Sequence, residues 1–229
     1  VLPNRNGVTV GSLYQQAQRE GRSAVRTAVL GAARNLLISE GPTALTVRRI
    51  ASEVGCSTKV IYTLFDGKDG ISEALWLEGF ARLEQRLLMV PRDSGPLDWL
   101  LGALDAYRAY ALAEPDFYRV MFLGALPGFR ADDEAVHAAK HTFELLVAGV
   151  AACLETGELA GGTATEIADV LWMAVHGAVS LEIMSYFEEA GASARYRLLR
   201  TSVLTPFLTA DQRPLPAGPR HETSERETT

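Results

Sequence analysis

The chain has 229 residues, 48% of them hydrophobic, which suits one domain of moderate size or a small domain beside a larger one with a sizeable core. No apolar run approaches the ~20 residues that span a bilayer, and residues 1–11 hold no apolar block of signal-peptide length, so the expectation is a soluble, cytoplasmic protein with no membrane partner. The two cysteines, Cys56 and Cys153, lie far apart without a C-x-x-C partner, which argues against a disulfide framework or a zinc site. The net charge of −6 would oppose nucleic-acid binding if it were evenly spread, but it is not. Residues 1–68 hold nine Lys/Arg against four Asp/Glu, a charge of +5, whereas residues 69–229 carry −11. A phosphate backbone attracts the first segment and repels the second. Nineteen of the 22 basic residues are arginine, the usage of a GC-rich bacterial genome.

Helical periodicity dominates, and Pro or Gly interrupts it at helix-sized intervals. Residues 1–21, with Asn4, Asn6, Gly7, Gly11 and a polar Gln15–Gln18 stretch, are expected to be a flexible N-terminal arm. A first helix is predicted over 23–39, with Val25, Val29, Ala32, Ala33, Leu36 and Leu37 on its apolar face and Gly41-Pro42 ending it. Two short helices follow over 47–54 and 58–65. A fourth covers 68–90 and is broken by the Pro91–Pro96 segment. Further helices are predicted over 97–113, 115–125, 131–156, 164–190 and 193–209, bounded by Pro115, Pro127-Gly128, Gly157 to Gly162, Gly191 and Pro206. Thr163-x-x-Glu166 has the spacing of a capping box. Residues 210–229, with three prolines and almost no apolar side chain, are expected to be a disordered tail.

The most informative stretch is Thr46 to Phe65. Two helices that cross steeply over a three-residue turn need a small residue where they approach, which Ala51 supplies. They also need a left-handed residue at the turn, which Gly55 supplies. Ile50, Val54, Ile61 and Leu64 fall at spacings that close a small core. Cys56 fits as a small buried hydrophobe. Thr46 and Ser57 stand where N-caps are required. The set in one register is that of a helix-turn-helix.

From about Arg22 to Leu75 the chain resembles the DNA-binding domain of the tetracycline-repressor family. The match runs through Ala32-Ala33, Leu36, Gly41, Leu45-Thr46, Ile50-Ala51, Val54-Gly55, Ser57, Ile61-Tyr62, Phe65, Lys68 and Leu75. It departs at Leu64, where the family often has Tyr or His, and at Asp66, which puts a negative charge near the expected phosphate path. The resemblance implies an all-α fold with a three-helix helix-turn-helix domain over 22–68. A helical effector-binding and dimerisation domain over 69–209 would follow. It implies a transcriptional regulator, a repressor, working as a homodimer on a roughly palindromic double-stranded operator. The second short helix would enter the major groove, with Thr58, Lys59 and Thr63 as base readers. Thr46, Tyr62 and Lys68 resemble the family's phosphate contacts, and Arg48 and Ser57 complete the candidate DNA-binding set. Arg19, Arg22 and Arg26 are either backbone or minor-groove contacts or solvated charge.

Pro115–Phe122 and Trp172-Met-Ala-Val-His-Gly177 resemble a subgroup with a Trp…His-Gly C-terminal domain. That resemblance implies a small apolar or amphipathic effector, with Tyr107, Tyr118, Phe122, Phe143, Trp172 and His176 as candidate ligand contacts. Trp172 and His176, four apart, share a helix face. Gly177, inside a strong helix, costs about 1 kcal/mol relative to alanine and suggests close approach of a helix or ligand. The last two helices would form the dimer interface, with Leu171, Ala174, Ala178 and Leu181 as its stripe. No G-x-S-x-G, Walker loop, dinucleotide fingerprint or H-E-x-x-H occurs, so an enzyme is not indicated, and no cofactor is implied. His137-x-x-x-His141, with Asp133 one turn earlier, lacks a further ligand of clear spacing for a metal. The alternative reading is an all-helical small-molecule-binding protein whose helix-turn-helix no longer binds DNA.

Overall fold

The computed structural model describes residues 10–126 and 128–212. They form nine α-helices: α1 (Val10–Glu40), α2 (Val47–Val54), α3 (Thr58–Phe65), α4 (Lys68–Leu88), α5 (Pro96–Ala113), α6 (Pro115–Phe122), α7 (Asp133–Glu155), α8 (Ala164–Ile183) and α9 (Ala192–Leu204). No strand occurs among the described residues.

Most predicted boundaries agree with the helices to within a residue or two; α6 ends at Phe122 rather than at 125, and three others differ by more. Helix α1 begins at Val10, so the segment expected as an arm is helical from there onward, and residues 1–9 lie outside the described residues. Its Gln, Arg and Glu side chains are good helix formers. They also bond along the helix, Gln16 Nε2 to Glu20 Oε1 at 2.9 Å and Gln18 Nε2 to the Tyr14 hydroxyl at 3.0 Å. Helix α8 stops at Ile183 rather than near 190. The Tyr186 N–H bonds to Leu181 O (3.1 Å) and the Ser185 N–H to Glu182 O (3.0 Å), a Schellman ending with Ser185 at φ 58° in the place a glycine usually takes. At the C-terminal end, α9 gives way at Leu204 to a short 3₁₀ turn, and residues 158–160 and 207–209 pair across an isolated bridge between Leu159 and Leu208. A second 3₁₀ turn at Ala210–Gln212 occupies the start of the expected tail, and residues 213–229 lie outside the described residues.

Helices α1 to α3 pack around Val29, Ala33, Leu37, Leu45, Ile50, Ile61 and Phe65, all buried, to make a small head. Helix α4 joins that head to the larger bundle. Ile71 and Leu75 are buried near its start, and Trp76, Phe80, Leu83 and Leu87 continue the buried face toward α5, α6 and α7. Helix α8 packs on α5 and α7, and α9 on α8. Close approach of α6 to α4 depends on Gly79, where a Cβ would stand 2.6 Å from Met121 Sδ. Around it the Tyr110 hydroxyl donates to Gly79 O (2.8 Å) and Trp76 Nε1 to Met121 O (3.2 Å). A chain of ion pairs crosses the same junction: Arg34 of α1 to Glu78 (3.4 Å), Glu78 to Arg82 (2.8 Å), and Arg82 to Glu114 between α5 and α6 (2.9 Å).

Candidate functional site

The head presents α3 at its surface. Thr46 caps α2, its hydroxyl accepting from the Arg49 N–H at 3.2 Å. At the turn Gly55 has φ 73° and ψ 30°, and a Cβ there would meet nothing within 4 Å, so the requirement is backbone conformation, not space. Cys56 N donates to Ala51 O (3.0 Å) and Gly55 N to Ser52 O (3.3 Å), which closes the turn in the Schellman manner. Cys56, Val54 and Leu64 are half-buried beside the fully buried Ile50 and Ile61. Ser57 holds the N-cap position of α3 but its side chain makes no capping bond.

With Ile61 and Phe65 buried inward, Thr58, Lys59, Tyr62 and Thr63 lie exposed on one arc of α3. The Thr63 hydroxyl donates to Lys59 O at 2.8 Å, so its polar hydrogen is used within the helix. Thr46, Arg48 and Ser57 are exposed beside that arc, and Lys68 is half-buried at the first position of α4. Two glycines seat α3 on α4. A Cβ on Gly67 (φ 98°) would stand 3.0 Å from Tyr62 Cε1, and one on Gly70 would stand 1.8 Å from Phe65 O. Arg26 belongs to the scaffold: its guanidinium donates to Leu64 O (3.0 Å) and lies 4.4 Å from the Phe65 ring centroid, satisfying a carbonyl at the end of α3. Arg19 and Arg22 are exposed on α1. Asp66 is exposed, in the left-handed conformation (φ 56°) that ends α3.

The bundle holds a cavity of about 330 Å³ between α4, α5, α6, α7 and α8. Of the six sequence candidates, Tyr107, Phe122, Phe143 and Trp172 line it. Tyr118 and His176 do not; they stand behind Phe122, whose ring centroid is 5.1 Å from Tyr118 and 5.0 Å from His176. His176 Nδ1 is 2.8 Å from both the Tyr107 and the Tyr118 hydroxyl. A neutral Nδ1 has one lone pair and accepts one O–H. Tyr118 has other acceptors, Ser180 Oγ at 3.1 Å and His176 O at 3.3 Å, so the assignment that gives both phenols an acceptor has Tyr107 donating to Nδ1. Burial lowers the His176 pKa and raises both phenols above their ordinary value near 10, keeping the cluster neutral.

Residues 29–75 match the family model described as bacterial regulatory proteins, tetR family, and residues 100–204 match the tetracyclin repressor-like C-terminal domain. The chain belongs to the tetracycline-repressor family. Among relatives of this TetR-family chain, the HTH-type transcriptional regulator Rv1816 of Mycobacterium tuberculosis is 20% identical over 146 residues, and the match spans 62% of each chain. The crystallised protein SCO4313 is 26% identical with a TM-score of 0.69, covering 81% of this chain and 98% of that one. SmeT, the repressor of the Stenotrophomonas maltophilia multidrug efflux pump SmeDEF, shares the fold at a TM-score of 0.58 and 17% identity, over 82% of this chain and 93% of its own. The TetR family is one of regulatory proteins, not enzymes.

Sequence reasoning missed much of this TetR-family cavity's wall. Trp76 and Phe80 of α4 and Trp99 of α5 were not singled out, and with Trp172 the cavity is lined by all three tryptophans of the chain. The small-residue signal was Gly149, where a Cβ would stand 2.0 Å from Trp99 Cζ3. Gly177 differs: a Cβ there would meet nothing within 4 Å, so no other helix of the chain approaches it closely. Of the stripe expected on α8, Leu181 is exposed and Ala174 and Ala178 are half-buried. Leu171 is buried in the chain's own core, and the exposed apolar line is Val170, Met173, Leu181 and Met184, with Gly177 near its middle. His141 lies 3.4 Å from Glu84 and 3.3 Å from Glu144, and no group of three potential metal ligands occurs among the described residues. No helix among them is long and apolar enough to cross a membrane.

Proposed function

We propose that the protein is a DNA-binding transcriptional regulator, a repressor, whose hold on its operator is controlled by a small apolar or amphipathic effector in the bundle cavity. The observation that carries this reading is the exposed arc Thr58, Lys59, Tyr62 and Thr63, borne by a helix that Gly55, Gly67 and Gly70 hold on a cationic head. Thr58, Lys59 and Thr63 read base edges, Lys59 favouring guanine acceptors and the threonine methyls contacting thymine. Thr46, Ser57, Tyr62 and Lys68 bind phosphates and set register, and Arg48 joins either set. The division of labour follows the charge: residues 22–68 read DNA, residues 69–209 sense and dimerise.

Two copies pair through α8 and α9 in a four-helix interface. The outward line Val170, Met173, Leu181 and Met184 supports this, and the open space over Gly177 leaves room for a partner helix to approach. A two-fold dimer then presents its reading helices about 34–36 Å apart to a roughly palindromic site. Helix α4 couples the two functions, because Trp76 and Phe80 line the cavity while Gly70, two turns earlier, abuts the end of α3. An effector favouring a different head spacing releases DNA, and DNA reciprocally weakens the effector.

A salt-dependent gel shift on genomic fragments tests the reading. Lys59→Ala is expected to relax sequence preference, whereas Lys68→Ala weakens all sequences alike and flattens the salt slope by about one unit. Binding indifferent to salt and to both substitutions would leave a small-molecule-binding protein without a DNA role.

A further inference from the structure

The polar groups around the cavity specify the charge of what fills it, a step that rests on the effector reading above. The wall is almost wholly apolar and rich in aromatic rings, which favours a flat aromatic body stacked among them. At about 330 Å³ the cavity lies at the small end of the roughly 300–1,000 Å³ range of ligand pockets, which favours a compact ligand. Most polar groups of the wall are already engaged. Trp76 Nε1 donates to Met121 O, the Tyr107 hydroxyl to His176 Nδ1, and the Thr142 hydroxyl to Ala139 O. Two donors remain without a partner. One is the indole N–H of Trp99, a residue only 3% exposed. The other is the ammonium of Lys140, exposed on α7 at the cavity, with no ion pair among the described residues. The Tyr107 and Thr142 hydroxyl oxygens keep acceptor lone pairs, and the one charged acceptor at the wall is the carboxylate of Asp169 on the exposed side of α8. Lysine's four-carbon stem can lie along apolar surface and carry its charge to a ligand head, a reach the one-carbon stem of aspartate lacks.

From this imbalance we infer that the effector is a compact aromatic anion, its ring held among Trp76, Trp99 and Trp172 and its carboxylate paired with Lys140. The tryptophans report occupancy directly, because every one in the chain lines the cavity. The test titrates the full chain with three probes of one shape, 4-tert-butylbenzoate, 4-tert-butylbenzyl alcohol and protonated 4-tert-butylbenzylamine, and with octanoate as an acyl anion, following intrinsic fluorescence. The benzoate is expected to bind about three- to fivefold tighter than the alcohol at low salt, as suits a solvent-exposed ion pair, and the advantage shrinks as salt is added. Lys140→Gln should erase that advantage while leaving the alcohol unchanged, and Asp169→Asn should not. Tightest binding by the amine, an advantage that survives Lys140→Gln, or octanoate binding tighter than the benzoate overturns the proposal while the effector reading stands. Failure of all four probes to perturb the tryptophans overturns both.

Discussion

Gly149→Ala probes the wall of the cavity with a single methyl group. The new Cβ would stand 2.0 Å from Trp99 Cζ3, 2.6 Å from Cε3 and 3.1 Å from Cη2. Carbon atoms rest about 3.5–4.0 Å apart, so the indole must retreat by roughly 1.5–2 Å. Its ring is already covered by the Arg92 guanidinium, 4.5 Å from the centroid, and the free volume beside it is the cavity. Overpacking costs about 1–3 kcal/mol, offset by the ~1 kcal/mol that alanine gains over glycine in a helix, a net loss of about 0–2 kcal/mol. For a chain of this size that is a fall in Tm of roughly 0–8 °C. Ligand affinity should fall further, because the ligand must push the indole back toward the methyl group, and a penalty of ~1.4 kcal/mol is already tenfold. Thermal melts, tryptophan emission and titration with 4-tert-butylbenzoate measure the three effects on one sample. A variant with a raised Tm, unaltered emission and unchanged affinity would refute this account of how Trp99 is seated.

Three further outcomes are expected. Gly70→Ala drives a Cβ to 1.8 Å from the backbone oxygen of Phe65, which cannot yield as a side chain can, so gel shifts should show lost operator binding while the helical signal and effector titration persist. Gly177→Ala meets nothing within the chain and should stabilise the protomer by up to ~1 kcal/mol; if α8 pairs with its twin, sedimentation will show a weakened dimer, and an unchanged dimer would remove Gly177 from the interface. Burial holds the folded His176 pKa below the ordinary ~6.5, so the unfolded chain takes up a proton more readily. Its contribution is therefore complete above about pH 6.5 and declines as the pH falls below that toward the lowered folded value. Tm against pH should be flatter in His176→Gln, and identical slopes would exclude His176 as the source.

The helix-turn-helix of α2 and α3 was legible because its determinants are local. A hydroxyl cap at Thr46, a left-handed glycine at Gly55 and inward spacing of Ile50 and Ile61 all act within a few residues. Helix α8 was overrun for the same reason in reverse: Ser185 ends it in a conformation that serine rarely signals. The seating of α3 on α4 was less legible, since Gly67 and Gly70 matter through atoms of Tyr62 and Phe65 that only the crossing angle brings near.

The one-dimensional pattern determined which segments are helical, where most of them stop, and which face of α3 meets solvent, since periodicity, caps and glycine conformations act over one or two turns. Tertiary packing decided the rest. It drew Trp76, Trp99 and Trp172 from three helices around one cavity, and it withdrew Tyr118 and His176 into a hydrogen-bonded layer behind Phe122. It also turned Leu171 inward and left Gly177 open, because a helix's rotation about its axis is set by the neighbours it packs against, and those are chosen by contacts far apart in the chain.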